Sequence, residues 1–224
     1  QCFWLVKWLV PTGTKLTIMP GATLWMGPKA SFISYSPVQA IGTDELPIRI
    51  LPSDSKEPWG NFAVIDTGQQ KNVFDHIVAS SGGESTINGI YISGMLAFHG
   101  SNVSLANSYF EKAQGDDTVN VKSAKGVITD NIFEANSFDA IDLDSPDAKT
   151  VVERNKFFNN GGDAVDISWS NVLIKDNIMI GSGDKGISVG ERSHPTITGN
   201  LLAKNVIGVA IKDFSEAMIN DNII

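Results

Sequence analysis

An all-β solenoid of short parallel strands, in coils of about 22–24 residues with three strands each, is predicted by three features of this 224-residue sequence. Asparagines recur at 131, 155, 177, 200 and 222, spaced 24, 22, 23 and 22 residues apart, each with an aliphatic residue three before it and a large apolar residue two after. A second polar ladder, Asn136, Asn160, Ser182 and Asn205, follows five residues later. Between ladders runs an alternating phrase: Ala140-Ile-Asp-Leu143, Ala164-Val-Asp-Ile167, Gly186-Ile-Ser-Val189, Gly208-Val-Ala-Ile211. Period-two alternation with frequent glycine excludes long amphipathic helices.

In chain order, the apolar opening Cys2 to Val10 is too short to span a bilayer and is expected as an early strand. Thr14–Ile18 and Thr23–Met26, divided by Pro20-Gly21, then Pro47–Leu51 and Asn61–Ile65, continue as strands between turns. Val73–Ser80 and Gly89–Ser93 add two more, and Ser80–Ser85 is the one irregular loop able to shield a site. Residues 1–100 thus form irregular coils and 101–224 regular ones of a single domain. Starting at Gln1 and stopping within a repeat phrase at Ile224, the chain is expected to be an excerpt of a longer protein with flanking domains. Stacking repeats in register pairs each strand with its equivalent one coil on, which is parallel pairing and excludes hairpins there. The asparagines then hydrogen-bond along the stack; turn propensity alone is the alternative.

The formal charge of −8, with 17 Lys+Arg against 25 Asp+Glu, argues against nucleic acid as a partner. The single cysteine excludes an internal disulfide and a thiolate zinc site.

The asparagine ladder and strand phrases resemble those of right-handed parallel β-helix proteins, the pectate-lyase-like solenoids, from about Lys71 to Ile224. The resemblance implies the handedness, the ladder at the bend between second and third strands, and Ala140–Leu143 as a first strand. With Val119/Val121, Ile141/Leu143, Val165/Ile167 and Ile187/Val189 pointing inward, three outward columns follow. They are Met95, Thr118, Ala140, Ala164, Gly186; then Ala97, Asn120, Asp142, Asp166, Ser188; then His99, Lys122, Asp144, Ser168, Gly190.

Equivalent side chains about 4.8 Å apart make Asp142 and Asp166 stacked carboxylates beside Asp144 and Lys122. Such acids repel unless a cation offsets them, so Ca²⁺ on Asp142, Asp144 and Asp166 is the expected metal site. The alternative is solvent-facing polarity copied by repeat duplication. By resemblance, acids on this sheet (Asp142, Asp144 and Asp166) hold Ca²⁺ or act as acid and base, with Lys122 as base, so Lys122, Asp142 and Asp166 are the expected catalytic residues; Asn120, His99 and Trp169, an aromatic at the turn after the sheet, are the expected substrate contacts. No arginine falls in these columns, which disfavours an arginine-base lyase. Gly115-Asp116-Asp117 resembles the paired-aspartate segment of polygalacturonase-type hydrolases, whose other three signatures are absent. Asp117, Asp139 and Asp163 otherwise read as turn caps.

Every connection from Ser123 onward is short, so the sheet is expected to lie open. The function expected is accordingly a secreted or cell-surface module, more readily non-catalytic, engaging polysaccharide or cations through an acidic sheet. The alternative is a lyase, epimerase or hydrolase acting on uronate-containing glycans.

Overall fold

The computed structural model describes residues 7–54 and 56–224. Among them there is no helix, and so none long and apolar enough to cross a membrane. Lys7–Val10 is the described part of the expected opening strand; residues 1–6 lie outside the description. About nine coils of three strands stack in parallel. First strands such as Asp117–Lys122, Asp139–Asp144, Val165–Ser168 and Lys185–Gly190 form one sheet. Second strands (Gly126–Thr129, Val151–Glu153, Leu173–Lys175) form another, joined to the first through the long strands Phe62–Asp75 and Gly94–Ala106. Third strands (Ile132–Glu134, Lys156–Phe158, Ile178–Ile180) close the coil.

The register follows the sequence period residue for residue, with Ile128 on Val152 and Phe133 on Phe157. At the bend between second and third strands each asparagine amide donates to the next one's Oδ1. The distances are 2.9 Å from Asn131 to Asn155, 3.1 Å from Asn155 to Asn177, and 2.9 Å on to Asn200 and to Asn222. Each Oδ1 also accepts the backbone N–H of the asparagine one coil back. Tight bends that would bury unpaired backbone groups are thereby satisfied. Beside them Phe110, Phe133 and Phe157 stack at 5.1 and 5.0 Å between ring centroids, all fully buried. Phe133→Ala, opening a cavity in this column, is expected to cost about 3–5 kcal/mol in denaturant unfolding.

Two expectations are corrected. Gly89–Ser93 is not a coil strand: Ser85–Ile87 and Ile90–Ile92 pair antiparallel across Asn88-Gly89, whose φ values of 50° and 81° fit a type I′ turn. Hairpin residues Ile87 and Ile92 pack on Ile33, Ala63, Ile65 and Ala97, covering the outer face of the first sheet in the N-terminal coils. The sheet is therefore walled on that side. Second, the column Met95, Thr118, Ala140, Ala164 faces inward at 0% exposure. A corner immediately precedes each first strand, so two consecutive residues point to the interior. A Cβ on Gly186 in the same column would lie 2.6 Å from Leu202 Cδ2, and one on Gly82 would lie 2.5 Å from both Trp59 and Met95.

Candidate functional site

Parallel pairing places Ala97, Asn120, Asp142, Asp166 and Ser188 in one register column, and His99, Lys122, Asp144 and Ser168 in the next. Where the hairpin ends, these columns turn from apolar to polar. Asn120 there is 1% exposed, and its amide donates to Asp142 Oδ2 at 2.7 Å and to Asp144 Oδ2 at 3.3 Å. Its Oδ1 lies 2.7 Å from His99 Nε2. With the Asn120 amide turned to carboxylates, Oδ1 can only accept, so His99 donates through Nε2–H and carries its lone pair on Nδ1. Lys122 Nζ, on the far side, donates to Asp144 Oδ2 at 3.2 Å.

Five expected residues, His99, Asn120, Lys122, Asp142 and Asp144, are thus one hydrogen-bonded group. Burial lowers the His99 pKa, and the Lys122 charge adds to this against the opposing Asn120 hydrogen bond. The imidazole is neutral at pH 7. Burial pushes Asp142 well above the ordinary carboxylate range, reinforced by Asp117, Asp144, Asp166 and Asp139. A carboxyl held above its ordinary range and an imidazole held below its own, linked through one amide, are suited to giving and taking protons.

Asp166 is not part of this group. Its Oδ1 accepts the Ile167 N–H at 2.9 Å, and its carboxylate gathers with Asp139 and Asp163, all three within 4.8 Å of one another. Those oxygens are close enough to share one cation. However, Asp139 Oδ1 accepts the Asp163 N–H at 2.6 Å, Asp163 Oδ1 accepts the Lys185 N–H at 2.7 Å, and Lys185 Nζ lies 3.3 and 3.4 Å from the Asp163 oxygens. Asp139 and Asp163 act as caps from one coil to the next, and the ammonium already offsets the charge. The Lys185 ammonium therefore competes with any cation on the Asp163 side of this cluster.

Asp117 and Asp139 are both pushed up to about 7, chiefly by burial. Between their ordinary value of 3.8 and about 7 the folded protein therefore binds more protons than the unfolded chain. Stability contributed by these groups is fully present near pH 4 and is lost as pH rises through about 7, by on the order of 4 kcal/mol per group. Melting temperatures across pH 4–8 are expected to drop over that window, and Asp117→Asn to flatten the profile; an unchanged profile would contradict the burial argument.

Trp169, 57% exposed, stands apart at the turn after Val165–Ser168. Two residues beside the site, Tyr91 and Glu84, were given no role in the sequence. Tyr91, on the hairpin, donates to Glu84 Oε2 at 2.8 Å, and Glu84 Oε2 also accepts the Asp116 N–H at 3.1 Å. The signal for them was Asn88-Gly89, a hairpin dipeptide between Ile87 and Ile90.

A family profile described as "Right handed beta helix region" matches residues 61–171 and 93–224. No curated protein matches. Among solved structures, the periplasmic alginate epimerase AlgG aligns at 12% identity and TM-score 0.48, over 89% of this chain and 61% of its own. An alginate lyase from Paenibacillus sp. str. FPU-7 aligns at 14% and 0.41, over 93% of this chain and 95% of its own. This chain spans about three-fifths of the epimerase's length, and both likenesses are of fold alone.

Proposed function

This chain belongs to the right-handed β-helix family, and we propose that its first sheet binds an extended uronate-containing polysaccharide outside the cytoplasm and moves protons on it. One observation carries the reading: the His99–Asn120–Asp142/Asp144–Lys122 hydrogen-bonded group sits where the hairpin wall ends. His99 Nδ1 takes the proton next to the uronate carboxylate, and Asp142, whose protonated form burial favours, supplies one to the departing glycosidic oxygen or to the opposite face of the ring. As an ammonium donating to Asp144, Lys122 has no lone pair to offer; it meets the substrate carboxylate. The first outcome is elimination, the second epimerisation.

A non-catalytic binding rod is the second reading, favoured by the short connections from Ser123 to Ile224, which leave the C-terminal side of the acids without a wall. Incubation with pectin, alginate and related glycans decides between them. Absorbance of unsaturated ends reports elimination, and deuterium taken up next to the carboxylate from heavy water reports epimerisation. Binding with neither signal on every glycan leaves the rod.

A further inference from the structure

Beside the first sheet, on the turns that follow it, three successive coils enclose a recess of about 300 Å³ lined by Trp169, Ser170, Asn171, Arg192 and His194, with Pro146 beneath. These turns are held by a serine ladder. The Ser170 N–H donates to Ser193 Oγ and the Ser193 N–H to Ser215 Oγ, both at 3.0 Å, while Ser170 Oγ donates to the Pro146 carbonyl at 3.1 Å. The His194 N–H closes the rim by donating to the Ser170 carbonyl at 2.9 Å and to Asn171 Oδ1 at 3.1 Å. The backbone of the recess is therefore fixed.

What the recess presents departs from the repeat. The left-handed turn position occupied by Trp169 (φ 59°) holds Ser123, Ser145 and Glu191 in neighbouring coils. A large indole standing 57% exposed there contributes nothing to the core. Arg192 is exposed and, unlike Arg154, which is paired with Asp130 and Glu153, has no carboxylate partner among the described residues. An exposed indole face offers a platform for the C–H face of a pyranose ring, and an unpaired guanidinium is a fork for a planar or tetrahedral anion. His194 and Asn171 add groups suited to hydroxyls.

We propose that this recess is a subsite for one pyranose residue bearing an anionic group, a carboxylate or a sulfate, stacked on Trp169 with the anion on Arg192. It rests on the polysaccharide reading above for its place along the polymer, but not on the proton chemistry. Isothermal titration with uronate trimers, their carboxyl-reduced counterparts and sulfated galactose trimers tests it, on wild type, Arg192→Gln, Trp169→Ala and His99→Gln.

Arg192→Gln is expected to weaken at least one acidic series by about 10–100-fold, the loss of a charge-assisted contact, and to leave the reduced trimers unchanged. Trp169→Ala is expected to weaken all series alike, and His99→Gln to retain acidic-trimer binding. Whichever acidic series responds identifies carboxylate or sulfate. Because both recess side chains are exposed, melting temperatures should match wild type and exclude misfolding. The proposal is overturned by equal affinity of Arg192→Gln and wild type for every acidic trimer, by reduced trimers binding as tightly as acidic ones, or by no binding at all. Absent turnover with Arg192-dependent affinity intact removes only the acid–base reading; turnover with affinity indifferent to Arg192 removes only this one.

Discussion

Asn155→Ala is expected to lower the unfolding free energy by about 3–5 kcal/mol. Its amide donates to the Ile128 carbonyl at 2.9 Å and to Asn177 Oδ1 at 3.1 Å, and its Oδ1 accepts both the backbone N–H and the amide of Asn131, at 3.0 and 2.9 Å. Alanine leaves the Asn131 N–H without its acceptor at a place where Asn131 is 0% exposed and Asn155 1%. Each such orphan costs about 1–3 kcal/mol, with no water to replace the partner. Asn155→Asp does no better, because a carboxylate cannot donate to Ile128 and would place a charge in the stack. Arg154→Ala, the adjacent residue, serves as the contrast. Its paired contacts to Asp130, both at 2.8 Å, lie at the surface, where ion pairs add little, so melting should scarcely move. Denaturant unfolding of the three variants decides the matter; a loss below about 1 kcal/mol for Asn155→Ala would show the ladder to be turn propensity alone.

This ladder is also why so much of the fold is legible in the sequence. A tight bend repeated every coil needs the same donor and acceptor each time, so the constraint prints itself at a fixed period. The register of Asn120, Asp142 and Asp166 follows from the same count and is the register found. What the period could not convey lies where it is broken. The hairpin at residues 85–92 is an insertion, announced only by Asn88-Gly89. The inward column of Ala140 and Ala164 obeys a corner rather than strand alternation, and its small side chains were the only sign. Proximity across a column was legible, but partner choice was not: Asp142 shares Asn120 with Asp144, whereas Asp166 turns to Asp139 and Asp163. Side-chain torsions, set by local donors such as the Ile167 N–H, decide that.

These local choices also revise the balance between the two functions. An open acidic sheet would favour a cation-binding rod, because bare stacked carboxylates repel a polyanionic glycan. Burial changes the charge count. With Asp142 well above its ordinary range and Asp117 and Asp139 near 7, much of the apparent negative field is absent at neutral pH. A hairpin lies on one side and the Lys122 ammonium among the acids, which favours the proposed uronate chain over a bare cation on these columns.

His99→Gln is then expected to reduce turnover on the responsive glycan by about 10²–10⁴-fold with little change in KM, the signature of a lost proton acceptor rather than a lost contact. Glutamine can still donate an amide N–H toward Asn120 Oδ1, so the neighbouring hydrogen bonds are disturbed least. Lys122→Ala should instead raise KM, because on the proposed reading its charge meets the substrate carboxylate in ground state and transition state alike. The pH profile adds a test that a merely structural role would not pass. Only neutral His99 carries the lone pair, and burial lowers its pKa from the ordinary 6.5. kcat/KM should therefore climb with pH through an apparent value below that figure and be flat by pH 7 on this limb. Asp142 must keep its proton, and its raised pKa sets a second, descending limb on the alkaline side. Since the two groups are joined through Asn120, the limbs report the linked pair rather than either residue alone. A profile rising only above pH 6.5, or a His99→Gln enzyme that turns over normally, would take the base role away from His99.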